Sequence, residues 1–222
     1  MRDALRAAQR FLLRNGDLGL AMSLVVIAIY FFSGYFTPVR FDRERIEIRV
    51  QGGLIQVTGL YHYRNSSRLP TLLTLAVPFP IDAAHPAPVS VALAEAAEDG
   101  RPLGEIDPSR WGRGVRFRLT FQPGEAKWIR LDYAQPTRVA NGRYLLTTTQ
   151  AWRRPIGRAE YLLHLPGSSQ LVSSSYALAP VPAAGPWRTY TFSKTSFLPT
   201  ENWDFAWKEE PARANRHEGG QP

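Results

Sequence analysis

The chain has 222 residues, of which 27 are Lys or Arg and 19 are Asp or Glu, so its formal net charge is +8. Charged residues make up 21% and apolar residues 44%, a globular composition that excludes a mainly disordered chain. The lack of cysteine excludes disulfides, thiolate metal sites and thiol nucleophiles. The positive charge favours an anionic partner, such as phospholipid headgroups, nucleic acid or an acidic protein face.

Arginine recurs every four residues along residues 1–16, at Arg2, Arg6 and Arg10. On a helix this spacing places all three side chains on one face, opposite apolar residues, which is typical of a helix lying on a membrane surface. The same residues are equally compatible with a frayed basic tail. The sequence therefore predicts either an interfacial helix or a frayed tail over this segment.

An uncharged run of nineteen residues follows, from Leu18 to Phe36. As a helix with a rise of ~1.5 Å per residue, it would span roughly 28 Å, the thickness of bilayer hydrocarbon. Because the run is too long for a signal peptide, it predicts an uncleaved transmembrane helix over residues 17–37. Gly19 and Ser23 would let another helix pack closely against it. Its last part carries an aromatic belt suited to the membrane interface: Tyr30, Phe31, Phe32, Tyr35 and Phe36.

Lys and Arg counts do not decide the orientation of this helix, because four arginines lie close to it on either side. The four that precede it are opposed only by Asp3, and long domains cross the membrane largely regardless of charge. Both points favour a cytoplasmic N-terminus. We therefore predict a single-pass protein of the bacterial inner membrane with its main domain in the periplasm.

Apolar and polar residues alternate in short runs along residues 43–207, with turn-forming residues between the runs. Gly52-Gly53 and Asp99-Gly100 are typical of tight turns. The pattern predicts a mainly β fold, an antiparallel β-sandwich of about ten strands preceded by one N-terminal transmembrane helix. Residues 208–222 are polar and aperiodic, which predicts a disordered tail.

Sequence motifs of catalysis are missing from the chain. The four histidines are not within metal-ligand spacing of one another, and no nucleophile elbow, phosphate-binding loop or zinc-protease motif occurs. Five acidic residues gather between Glu95 and Asp107, but without the ligand spacing of a calcium loop, so we interpret them as a solvated hairpin end. We therefore predict no catalytic residue, no metal and no cofactor.

Residues 114–133 have the pattern of two strands joined by a loop at Pro123–Glu125. A hairpin that pairs Leu119 with Ile129 would bury the apolar residues and leave a cationic and aromatic outer face. We predict that this face docks on a partner, although arginine stems lying along the tryptophan in water would give the same pattern. Its residues are Arg116, Arg118, Trp128 and Arg130.

A corner is predicted at Ala151–Gly157, because Pro155 restricts the backbone and Gly157 permits a close approach. Trp152 is expected to close the end of the sandwich. Nearby arginines can contact acidic protein or lipid phosphate, and we add them to the candidate docking residues: Arg153, Arg154 and Arg158.

Aromatic residues alternate near the end of the β region, at Trp203, Phe205 and Trp207, and so share one side of a strand. Such a set belongs more often to a core than to a docking surface. We predict that these three side chains are buried.

Three short stretches resemble parts of VIT-type domains, the vault/inter-alpha-trypsin-like β-sandwiches, and of related bacterial domains. They are YHYRN at Tyr61–Asn65, VPFP at Val77–Pro80 and PGEAKWIRLDY at Pro123–Tyr133. The resemblance implies a β-sandwich that acts as an interaction module and not as a catalyst.

Two functional hypotheses follow. The first is a non-catalytic accessory subunit of a larger bacterial membrane complex, respiratory or photosynthetic, that docks through its transmembrane helix and its sandwich. The alternative is a free-standing extracytoplasmic binding module for anionic glycan or lipid. The expected partners are other subunits of the complex and membrane lipid at the N-terminal helix. Nucleic acid is not expected outside the cytoplasm.

Overall fold

The computed structural model describes residues 38–182 and 185–210. They form fourteen strands and one 3₁₀ helix, which confirms the mainly β fold. The strands are β1 (Val39–Gln51), β2 (Leu54–Asn65), β3 (Thr71–Pro78), β4 (Ser90–Ala96), β5 (Pro102–Glu105), β6 (Ser109–Trp111), β7 (Gly114–Phe121), β8 (Ala126–Pro136), β9 (Asn141–Tyr144), β10 (Ile156–Pro166), β11 (Ser169–Ser174), β12 (Ala179–Val181), β13 (Trp187–Phe197) and β14 (Trp203–Glu209). The 3₁₀ helix (Thr147–Trp152) lies between β9 and β10.

The predicted membrane segment lies outside the described residues, together with Gly19, Ser23 and the aromatic belt. So do the basic segment 1–16 and residues 211–222 of the predicted tail. Lys208 and Glu209, the first two residues of that predicted tail, belong to β14, so the prediction of disorder is wrong there. Within the described part of the chain, no helix is long and apolar enough to cross a membrane.

The strands form one large sheet and two small ones. The large sheet has the order β12-β13-β10-β1-β2-β8-β4-β5; the first small sheet is β11-β14-β9 and the second is β3-β7-β6. The pair β1–β10 is parallel, with Arg43 opposite Arg158 and Arg49 opposite His164. The expectation of an antiparallel arrangement throughout is therefore wrong at this pair. Side chains alternate in the same way in parallel and antiparallel strands, so the pattern does not specify strand direction.

The inner face of the large sheet packs against both small sheets in one apolar core. Ile46 and Ile48 of β1 are completely buried, as are Phe121 of the second small sheet and Trp203 of the first. Tyr161 of β10 contacts Trp203 across the two layers, with ring centroids 5.7 Å apart. A two-layer arrangement of this kind buries one face of each sheet.

The predicted hairpin between residues 114–121 and 126–133 is wrong. The two strands leave the turn in different sheets, since β7 pairs with β3 and β6 whereas β8 pairs with β2 and β4. Leu119 lies opposite Leu73 and not opposite Ile129. Both strands still bury the expected residues, because the facing sides of two packed sheets show the same alternation as one side of a hairpin.

The predicted burial of the aromatic residues of β14 is confirmed. Trp203 is 0% exposed, Phe205 2% and Trp207 8%. The two predicted tight turns are also confirmed: Gly52-Gly53 joins β1 to β2 with positive φ at both residues, and the Gly100 N–H donates to the Ala97 carbonyl in the turn after β4. These short-range features follow from local sequence alone.

Candidate functional site

A β-bulge near the start of β1 places an acidic side chain in the interior. Phe41 and Glu44 are three residues apart, so strict alternation would put them on opposite faces of the sheet. The pairing of β1 with β2 shifts register between Phe41 and Arg43, and both Phe41 and Glu44 are buried. Bulges commonly redirect one side chain in this way beside functional sites.

Glu44 is only 3% exposed, and the Tyr161 hydroxyl donates a hydrogen bond to its carboxylate. No Lys, Arg or His among the described residues lies within ion-pair distance of it. Burial raises the pKa of Glu44 to about 7, although the hydrogen bond from Tyr161 opposes the rise. A buried acid is normally paired with a base, and one that titrates near neutrality is a candidate functional group.

Several buried tyrosines lie close enough to this carboxyl to be affected by its charge. Tyr61 and Tyr144 share a hydrogen bond of 2.8 Å between their oxygens. Burial, together with the charge of Glu44, raises the pKa of four of these phenols well above the ordinary value: Tyr61, Tyr63, Tyr144 and Tyr161. These phenols are therefore neutral at physiological pH and offer hydroxyls and ring faces but no charge.

A cavity of about 70 Å³ lies beside Glu44, walled by aromatic rings. Phe41, Tyr63 and Trp152 form a triangle, with centroid separations of 5.1 Å for Phe41–Tyr63, 5.8 Å for Phe41–Trp152 and 5.6 Å for Tyr63–Trp152. Tyr61 adjoins this triangle, 6.0 Å from Phe41. We call Phe41, Glu44, Tyr61, Tyr63 and Trp152, with the cavity that they line, the Glu44 pocket.

The 3₁₀ helix supplies Trp152 to the pocket. The helix is followed by Arg153, whose φ of 52° turns the chain toward β10. The expected close approach at Gly157 is present, because a Cβ added there would lie 3.1 Å from the carbonyl oxygen of Asp42. Trp152 thus packs over the end of β1 and β2, in agreement with the expected corner, and it is also a wall of the pocket.

Gly59 makes room for the Tyr61 ring, since a Cβ at Gly59 would lie 2.1 Å from the Tyr61 hydroxyl oxygen. We expect Gly59→Ala to displace this ring, break the Tyr61–Tyr144 hydrogen bond and destabilise the domain by about 1–3 kcal/mol, the usual cost of overpacking. Denaturant unfolding of the full chain measures the change. Gly104→Ala is the matched control, because a Cβ there meets nothing within 4 Å. Equal stability of the two variants would contradict this account of Gly59.

The structure separates the four residues of the predicted outer face into two groups. Arg116 lies on the second small sheet, where its guanidinium stacks 5.1 Å from the centre of the Trp111 ring, and Arg118 lies on the same strand opposite Thr74. Trp128 and Arg130 lie on the large sheet, where Arg130 makes an ion pair with Asp132 at 2.6 Å. The prediction that these four residues share one outer face is therefore wrong. The docking role of each residue stays a prediction.

The corner arginines have different surroundings. Arg158 makes an ion pair with Glu160. Arg153 is exposed at the end of the 3₁₀ helix. Arg154 is exposed and lines a second hollow, next to the Glu44 pocket. Their predicted contacts with a partner stay predictions.

Sequence reasoning missed Glu44 and the tyrosines around it. One signal was present: Glu44 stands two residues before Ile46, in phase with the buried stripe that continues through Ile48 and Val50. An acid in phase with an apolar stripe indicates a buried carboxyl. The bulge and the partner rings come from distant strands and leave no local signal.

Comparisons with known proteins define the class of fold and nothing narrower. No family model matches the chain, and no curated protein matches its sequence. A proposed nutrient binding protein from Legionella pneumophila has a similar structure, with a TM-score of 0.61, 15% identity, and coverage of 77% of this chain and 67% of the other. An M1 zinc metallopeptidase from Deinococcus radiodurans matches with a TM-score of 0.46 and 12% identity over 76% of this chain and 42% of the enzyme. At such identities the first match shows a shared fold alone, and no conclusion is based on the second.

Proposed function

We propose that this chain is a membrane-anchored, non-catalytic binding module whose Glu44 pocket holds a small organic cation, the protonated amino group of its ligand. The observation that carries the proposal is a buried carboxyl, without a basic partner among the described residues, that lines an aromatic-walled cavity. The anchor is the transmembrane helix predicted over residues 17–37.

The chemistry of the walls favours a cation over an anion or a neutral group. Aromatic faces attract an ammonium through the ring quadrupole, and the attraction is largest when the cation has lost its water. An ionised Glu44 supplies the opposite charge, and the tyrosine hydroxyls can accept hydrogen bonds from N–H groups. A cavity of about 70 Å³ accommodates an ammonium with one or two carbons, so the rest of a larger ligand would extend past Trp152.

The proposal differs from the anionic glycan or lipid expected from net charge. Net charge describes the whole surface, whereas the Glu44 pocket contains one acidic residue and, among the described residues, no basic one. The Legionella protein of similar fold is described as nutrient binding. That description agrees with a binding role but does not identify a ligand here.

The accessory-subunit hypothesis stays a prediction beside this one. It requires a docking surface and a host complex, and no contact of the described residues selects a host. A binding module can also act as a subunit, so the pocket and the docking hypothesis do not exclude each other.

Ethylammonium is expected to bind the full-length protein, purified in detergent, with an affinity that rises as pH rises through about 7 and then levels off. Only the ionised carboxylate pairs with the cation, so the dissociation constant should fall about a hundredfold between about pH 5 and about pH 8. Ligand-observed NMR measures the dissociation constant. Ethanol, which has a similar size and no charge, should bind weakly and without pH dependence.

Two variants test whether ethylammonium binds in the Glu44 pocket or elsewhere on the protein surface. Glu44→Gln should abolish the pH dependence and weaken ethylammonium binding to the level of ethanol. Glu47→Gln is the control, because Glu47 lies on the same strand but on the opposite face. Ethylammonium binding that persists in Glu44→Gln, or that is equally lost in Glu47→Gln, would overturn the proposal.

A further inference from the structure

The end of the β domain that contains Pro38 carries a cluster of positive charge. Arg40 on β1 lies directly opposite Arg64 on β2, so two like charges face each other across the sheet. Arg68 follows in the loop whose Ser66 donates to the carbonyl of Pro38. Like charges in register are unfavourable unless an anion lies between them.

A hollow of about 320 Å³ lies between Arg40 of this pair and the corner before β10. Arg40 and Arg154 both line it, together with Trp152 and Gly157. None of Arg40, Arg64, Arg68 and Arg154 makes an ion pair or a side-chain hydrogen bond within the described residues, and all four are exposed. Elsewhere on the surface many arginines are paired, as Arg130 is with Asp132.

Acidic groups near this end are already engaged. Asp42 lines the hollow, and its carboxylate is hydrogen-bonded to His62. Glu125 lies near the turn after β7, where it accepts a hydrogen bond from the Gln122 N–H and lies 3.4 Å from the Lys127 ammonium. Neither carboxylate pairs with any of the four arginines.

Two large apolar side chains project from the same end. Leu69 is 71% exposed and Leu72 is 64% exposed. The backbone of Leu69 is held in place, because the Asn65 side chain donates to its carbonyl oxygen at 2.8 Å. Exposed leucines among unpaired arginines are typical of a surface that enters the headgroup region of a membrane.

We propose that this surface, the Pro38 end, rests on the membrane and binds the headgroups of anionic phospholipids, with a lipid phosphate in the hollow between Arg40 and Arg154. The proposal uses the transmembrane helix predicted over residues 17–37, which would bring Pro38 to the bilayer surface. Guanidinium groups pair bidentately with phosphate oxygens, and the leucines insert between the headgroups. The domain is thereby held in one orientation, with β1 directed away from the bilayer.

Because the chain has no cysteine, one introduced cysteine can carry a label that reports contact with lipid at that position alone. A fluorophore is attached to Leu69→Cys in the full-length protein, which is reconstituted into nanodiscs that contain headgroup-labelled quencher lipid. The discs contain either phosphatidylcholine alone or phosphatidylcholine with phosphatidylglycerol. Gln51→Cys, at the other end of β1 and roughly 40 Å away, is the distance control.

We expect strong quenching at Leu69→Cys in discs with phosphatidylglycerol, weaker quenching in neutral discs, and little at Gln51→Cys in either. Changing Arg40, Arg64, Arg68 and Arg154 together to Gln should reduce quenching in anionic discs to the level of neutral discs. The same number of charges removed at Arg110, Arg113, Arg138 and Lys208 should leave the quenching unchanged. Raised salt should weaken the signal in anionic discs.

Equal quenching in the two kinds of disc, or at the two labelled positions, would overturn the proposal. So would quenching that survives the four changes at the Pro38 end. Loss of quenching on addition of inorganic phosphate at constant ionic strength would identify free phosphate as the ligand, and would also overturn the assignment to lipid.

Discussion

Glu44→Gln is expected to stabilise the domain at about pH 8 by on the order of 3 kcal/mol and to leave its stability at about pH 4 unchanged. Burial raises the pKa of Glu44 from 4.5 to about 7 in the folded state. Below pH 4.5 the carboxyl is protonated in both states and does not affect the equilibrium. Between 4.5 and 7 only the unfolded state loses the proton, so stability falls as pH rises; above 7 the loss is complete. Glutamine does not titrate, and its amide oxygen can still accept from Tyr161.

Denaturant unfolding of the full-length protein at several pH values, without ligand, measures this difference. Glu47→Gln should change stability in the opposite sense. His164, whose Nε2 lies 3.3 Å from the Glu47 carboxylate, lowers the pKa of Glu47, so that carboxylate stabilises the fold above its unfolded pKa. A difference between wild type and Glu44→Gln that does not change with pH would contradict the assignment of Glu44 as a buried acid.

Trp203→Ala is expected to cost about 3–5 kcal/mol of unfolding free energy, the usual range for an aromatic residue removed from a core. Trp203 is 0% exposed, and its ring lies between those of Phe192, at 5.0 Å, and Phe205, at 5.4 Å. Because it also contacts Tyr161, its loss would loosen the packing between the large sheet and the first small sheet.

Trp111→Ala is the matched control for this substitution. Trp111 is 42% exposed and contacts the guanidinium of Arg116, so its loss should cost about 1 kcal/mol or less. Thermal and denaturant unfolding of the two variants compares them directly. Similar losses in both would show that Trp203 is not the centre of the inter-sheet contact.

Cation binding at the Glu44 pocket and lipid contact at the Pro38 end can be tested independently. Glu44→Gln should abolish cation binding without affecting contact with lipid, whereas the four arginine changes should do the reverse. Phe41 and Trp152 line both the pocket and the adjacent hollow, so a substitution at either of them is expected to affect both measurements.

Most of the residues that face the interior could be predicted from sequence. The buried positions of β7 and β8, such as Phe117 and Ile129, follow from alternation, because a strand that covers a core must turn every second side chain inward. The pairing of these strands could not be predicted. Alternation is identical whether two consecutive strands form a hairpin or lie in two packed sheets, so the short loop at Pro123–Glu125 favoured a hairpin that is absent.

The sequence by itself determined the mainly β class, the turns at Gly52-Gly53 and Asp99-Gly100, and the burial of the aromatic residues of β14. Each depends on neighbours within a few positions, where backbone preference and side-chain polarity act directly. Only the tertiary structure decided the site. The Glu44 pocket needs a bulge in β1, rings from β2 and the 3₁₀ helix, and a hydroxyl from β10. Burial of the carboxyl, and hence its raised pKa, arises only when these distant segments pack together and exclude water.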